Sequence, residues 1–135
     1  MFTVRTSTIA GRSAAIGSAA PFTLVVDRPV EAGGDGLGFN GGQLLYLAVA
    51  GCVSNDLFRE ADAAGIRLTS VAITVDGDFA GSPAVSTSVS YDVRLAGDAD
   101  DAALRALVHR VDAIAEVPNS LRGGTAVALR DVTVD

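Results

Sequence analysis

Gly33-Gly34-Asp35-Gly36-Leu37-Gly38-Phe39-Asn40-Gly41 runs directly into Gly42-Gln43-Leu44-Leu45-Tyr46-Leu47-Ala48-Val49-Ala50-Gly51-Cys52. The first half is too rich in glycine for a regular element and reads as a loop. The second half is apolar and predicts a helix over residues 43–64, with Gly65 as the residue that ends it. A helix apolar all round is expected to be buried; from Asn55 onward, Asp56, Arg59, Glu60 and Asp62 bring one side to solvent. This helix carries the chain's only cysteine, Cys52. A thiol can be nucleophile, redox centre or metal ligand, yet free cysteine also commonly fills a core as a small hydrophobe. The functional question is whether Cys52 is chemistry or packing.

Upstream, residues 2–10 and 13–17 read as short strands around a turn at Gly11, and Phe22–Val26 as a third strand stopped by Asp27-Arg28-Pro29. Downstream, residues 71–79 alternate in the manner of a half-buried strand. Gly81-Ser82-Pro83 makes a turn, and residues 86–95 alternate again, with Val89, Tyr91, Val93 and Leu95 on one face. These two are expected to pair antiparallel. Asp98 is the expected cap of a second helix, with Asp101 three positions on. Leu104, Leu107, Val108, Val111, Ile114 and Ala115 have helical spacing, Pro118 closes the helix, and residues 126–134 read as a last strand. The order β-β-β-α-β-β-α-β, with strands in runs, favours an α+β fold. No internal repeat or linker interrupts it, so residues 1–135 are expected to form one domain.

Composition narrows the function. Apolar residues make up 49% and aromatics 5%, so the core must be aliphatic. The formal charge of −6 argues against nucleic acid as a partner, which requires a basic surface. All ten basic residues are arginine, which excludes a lysine Schiff base or a P-loop lysine. One cysteine allows no intrachain disulfide and suits a reducing compartment. The N-terminus lacks the apolar core of a signal peptide, and the longest apolar stretch, residues 44–53, would rise only about 15 Å as a helix. That is about half of a bilayer core, so no membrane span is expected and the protein reads as soluble and cytoplasmic.

Gly36-Leu37-Gly38-Phe39-Asn40-Gly41 matches the letters of a dinucleotide-binding G-x-G-x-x-G. The preceding strand ends about ten residues too early for the tight turn such a site needs, and no acid-tipped strand follows. No cofactor is therefore expected. Asp98, Asp100 and Asp101 suit the first turn of a helix, whose dipole favours acids, better than a metal site. Asp76 and Asp78 share one strand face, and His109 falls on the polar side of its helix. One histidine and one cysteine far apart give no support for a zinc site or a Cys-His pair.

A reactive Cys52 needs a nearby cation to hold its thiolate. Its helix does not supply one: Asp56 at i+4 opposes a thiolate, and Arg59 lies two turns away. The candidates are Arg12, after Gly11, and Arg28, before Pro29.

An ordered set of motifs resembles the OsmC/Ohr family of thiol-dependent hydroperoxide reductases. Gly11-Arg12 resembles the family's Gly-Gly-Arg. Gly33-Gly34 and Asn40 precede a helix that starts Gln43-Leu44 and reaches Cys52. Residues 65–79 resemble the strand after the family's central helix, and Asn119-Ser120-Leu121-Arg122-Gly123 resembles its Asn-x-x-Arg-Gly. The resemblance implies an intertwined homodimer with central helices wrapped by β-sheets. It implies that Cys52 attacks a peroxide, that an arginine (Arg12 or Arg28) stabilises the thiolate, that a Glu before the helix holds that arginine, and that a second cysteine resolves the sulfenic acid.

This chain departs twice from that pattern. Gly42 stands where the Glu is implied, and residues 115–117, where the second cysteine is implied, hold none. Without the Glu the arginine is held less directionally. Without a resolving thiol, the sulfenic acid requires an external thiol or over-oxidises. The expected function is single-cysteine reduction of organic or hydrogen peroxide in oxidative-stress defence. The alternative is a non-catalytic relative that binds a small apolar ligand at the dimer interface.

Overall fold

The computed structural model describes residues 1–135. Its elements are β1 (Arg5–Thr8), β2 (Ala15–Ala19), β3 (Phe22–Val26), a short 3-10 turn (Val30–Ala32), α1 (Gly41–Ala63), β4 (Leu68–Ala80), β5 (Val85–Gly97), α2 (Asp101–Ile114) and α3 (Glu116–Gly123). The fold is α+β, with two separate antiparallel sheets, β1-β2-β3 and β4-β5. The chain forms two compact units, Met1–Leu47 and Ala48–Asp135, and the division falls inside α1. No helix is long and apolar enough to cross a membrane.

In the first unit, β2 pairs with β1 from Thr8↔Ala15 outward and with β3 from Ala15↔Val26. The β1–β2 connection turns at Gly11, whose φ of 75° lies in the left-handed region that suits glycine. After β3 the chain loops out and returns so that Phe39 bridges to Val26. The return passes so close to β3 that a Cβ on Gly38 would stand 2.1 Å from the Val25 carbonyl oxygen. That glycine is required by backbone approach, and no ligand is needed to explain it.

In the second unit, β4 and β5 form a long ladder in which Val71 faces Leu95, Ile73 faces Val93 and Val75 faces Tyr91. These alternate residues are half-buried, as a sheet with one covered face requires. Val53, Leu57 and Ala61 of α1 meet Leu107 and Val111 of α2, together with Ala115, in the core. The spacing of four along both helices places these side chains on facing stripes.

Four expectations need correction. The first half of α1 is covered on one side only: Val49 is buried, but Leu47 is half exposed. Asp100, not Asp98, caps α2, accepting from the Ala103 N–H at 2.8 Å, while Asp98 accepts from the Arg67 N–H at 2.7 Å. Pro118 does not end the helical region but sits in the first turn of α3, where its missing N–H has no helical partner to lose. Residues 126–134 form no strand and are exposed: alternation makes a segment able to pair, but neither sheet takes this one as a further strand.

Candidate functional site

Asn40 explains why α1 begins where it does. Its Oδ1 accepts from the Gln43 N–H at 2.9 Å, and Gln43 Oε1 accepts from the Asn40 N–H at 3.0 Å. This reciprocal capping box satisfies donors that a helix start leaves open. Three turns later Cys52 is half-buried and packs against the core around Val53 and Leu57. Ala115, the first of the positions where a second thiol was implied, belongs to the same core cluster. Val49, one turn before Cys52, lines a groove of about 270 Å³ with Val89, Tyr91, Pro118 and Leu121.

The one cation of α1, Arg59, is committed elsewhere. Asp56, one turn after Cys52, is buried; its Oδ1 pairs with Arg59 at 2.7 Å, and its Oδ2 has no partner. Arg59 also contacts Glu60 at 3.2 Å, and Glu60 in turn meets Arg110 at 2.9 Å. The bond to Glu60, more than any other neighbour, raises Arg59 above its ordinary value. As the sequence suggested, α1 holds no free cation for the thiol.

Arg12 and Arg28 both belong to the first unit. Arg12 NH1 lies 3.2 Å from Asp35 Oδ2. Arg28 is exposed, and its backbone N–H donates to Asp27 Oδ1 at 2.8 Å. Asp27 organises the glycine-rich loop: it is only 5% exposed, and its Oδ2 accepts from the N–H groups of Asp35 and Leu37 at 3.1 and 3.0 Å. These donors, Leu37 foremost, hold the Asp27 carboxyl below its ordinary value, and Arg12 adds to the effect. Neither Asp27 nor Asp35 is a site residue that sequence reasoning selected.

The Asn-x-x-Arg-Gly segment has a structural role. The Arg122 guanidinium donates to the Asp112 carbonyl at 2.9 Å, the Asp112 carboxylate at 2.6 Å and Asn119 Oδ1 at 2.8 Å. Asn119 donates to the Ala113 carbonyl at 3.0 Å. Together they satisfy carbonyls that the end of α2 would leave open. The Tyr91 hydroxyl donates to the same Asp112 carboxylate. Burial first, then that bond, pushes the Tyr91 hydroxyl up to about 12, and the Tyr91 and Arg122 donors hold Asp112 below its ordinary value. His109 is exposed, and Asp101 pairs with Arg105 at 2.8 Å. No three His, Cys, Asp or Glu side chains come together to hold a metal ion.

The family model described as OsmC-like protein matches residues 33–130, from the glycine-rich loop through Cys52 to the Asn-x-x-Arg-Gly segment and beyond. The chain belongs to the OsmC-like family. Solved structures carry the same fold. An OsmC-like protein from Mycoplasma pneumoniae superposes with a TM-score of 0.78 at 16% identity, covering 92% of this chain and 89% of that one. An organic hydroperoxide resistance protein OsmC from Legionella pneumophila gives 0.63 at 21% identity, covering 91% and 90%. An organic hydroperoxide resistance protein from Elizabethkingia anophelis gives 0.62 at 14% identity, covering 92% and 89%. No curated protein matches the chain. Within the OsmC-like family, this chain combines a single cysteine with an arginine paired to a loop aspartate.

Proposed function

We propose that the protein is a single-cysteine hydroperoxide reductase, with Cys52 as nucleophile and Arg12 or Arg28 as the cation that serves its thiolate. The observation that carries this reading is the position of the lone thiol: Cys52 is half-buried, not sealed in the core as Val53 and Leu57 beside it are. In the reaction, the Cys52 thiolate attacks one peroxide oxygen. The S–O bond forms as the O–O bond breaks, and the departing alkoxide takes a proton to leave as an alcohol. With no second thiol in the chain, an external thiol condenses with the sulfenic acid, releasing water. A second external thiol then frees Cys52 and leaves as a disulfide.

The test is mass spectrometry after one equivalent of an organic hydroperoxide. The expected result is one added oxygen on Cys52, trapped by a dimedone-type probe and replaced by a mixed disulfide when a small thiol is supplied. A Cys52 that takes up neither probe nor thiol overturns the proposal. The apolar-ligand reading would then lead. An apolar groove of about 520 Å³ lined by Val4, Phe22, Leu24, Val26 and Leu44 gives that reading its support.

The same reading includes a homodimer. Phe22, Leu47, Phe58, Val127, Leu129, Val132 and Val134 are exposed in the single chain, more apolar surface than a small monomer ordinarily shows to water. Light scattering at micromolar concentration is expected to give twice the chain mass, and a folded monomer there removes the dimer from the proposal.

A further inference from the structure

We infer that the groove beside Val49 is a binding site for a small organic carboxylate with a short aliphatic body, its carboxylate held by Arg122. The inference does not depend on the chemistry of Cys52, and it gives Arg122 a task beyond closing the end of α2. The groove, of about 270 Å³, lies wholly within the second unit. Val49, Val89, Pro118 and Leu121 give it an apolar wall, and Arg122 is the only charged residue there. Asp112, the acid that pairs with Arg122, is not part of that wall. The groove therefore presents one cation beside aliphatic surface and no anion. An aliphatic chain ending in a carboxylate is its complement.

How the guanidinium is held decides what it can bind. Nη1 donates to the Asp112 carbonyl and to Asn119 Oδ1, and Nη2 donates to the Asp112 carboxylate. These bonds fix the plane of the group and commit three of its five N–H donors. The Tyr91 hydroxyl donates to the same carboxylate, so the acid is itself held in place. What remains is the Nε–H and the second N–H of Nη2, which lie side by side along one edge of the planar group. That edge matches the two oxygens of a carboxylate, and a fork already oriented loses less freedom on binding than a free side chain would. The Arg122 side chain is half exposed, so a ligand can reach it from solvent.

The experiment titrates the isotope-labelled, full-length protein with hexanoate, acetate and hexanol, followed by nuclear magnetic resonance. It reads the backbone amides and the Arg122 Nε–H, assigned through its own side chain. Hexanoate is expected to shift the Arg122 Nε–H and the amides of Val49, Val89 and Leu121 together, reaching saturation. Hexanol, which lacks the charge, and acetate, which lacks the chain, should each bind about tenfold more weakly. Arg122→Lys keeps the charge without the fork and should weaken hexanoate about tenfold. Leu121→Asn keeps the fork and makes the wall polar; it should weaken hexanoate and leave acetate unchanged. Hexanol or acetate binding as well as hexanoate overturns the inference, and so does Arg122→Lys binding hexanoate as wild type does. If Arg122→Lys melts too low to be titrated, the wild-type titration decides: an Arg122 Nε–H that stays in place as hexanoate is added overturns the inference.

Discussion

Cys52→Ser is expected to reduce hydroperoxide consumption to the uncatalysed background while leaving the fold intact. The chain has one thiol, so no other side chain can take the oxygen and be restored by an external thiol. A serine hydroxyl is a weak nucleophile unless an adjacent base activates it. Asp56, the acid one turn away, is tied through Oδ1 to Arg59, and no histidine shares the helix. The fold is expected to survive because serine is close to cysteine in size and the site is half-buried. The comparison is peroxide consumption with excess small thiol, alongside thermal melting. Equal consumption by wild type and Cys52→Ser would leave the protein without an enzymatic role for its thiol. Excess oxidant gives a second signature: without a resolving partner in the chain, wild-type Cys52 climbs to sulfinic acid and loses activity, and Cys52→Ser gains no oxygen at position 52.

How much of this was legible in the sequence follows from which contacts are local. The β4–β5 pair was readable because Val71, Ile73 and Val75 on one strand and Val89, Tyr91, Val93 and Leu95 on the other announce a covered face by period alone. α1 and α2 were readable from their spacing, although the Asn40–Gln43 capping box was a usable local signal left unread. α3 is hidden in the sequence because a proline reads as a stop. In the first turn of a helix proline costs nothing, and Glu116-Val117-Pro118 is such a turn. The last strand was misplaced because alternation in residues 126–134 describes a segment able to pair, and pairing depends on an edge the sequence does not locate.

The site divides in the same way. Cys52 stood out by being single, and Arg12 and Arg28 by their turns. Asp27 and Asp35 did not, because their roles are set by a loop folding back across eight to ten residues and by a contact between Arg12 and Asp35 that spans 23. No spacing rule encodes such contacts. Asp35 in particular looked like one more polar residue in a flexible stretch. The physical purpose of a glycine such as Gly38 emerges only from the backbone it approaches.

That purpose gives the second large expected effect. Gly38→Ala should destabilise the protein by about 3 kcal/mol, because the added methyl would stand 2.1 Å from the Val25 carbonyl oxygen and 2.6 Å from its carbon. Backbone atoms cannot rotate aside as a side chain would, so the loop must lift from β3. Two backbone bonds go with it: Phe39 N–H to the Val25 carbonyl, 3.1 Å, and Asp27 N–H to the Phe39 carbonyl, 2.9 Å. Gly41→Ala, three residues on, is the matched control. Its new methyl meets nothing within 4 Å, and alanine is the better helix former, so it should be neutral or slightly stabilising. Thermal melting of both variants checks the contrast, and equal melting temperatures would mean that the loop does not lie against β3.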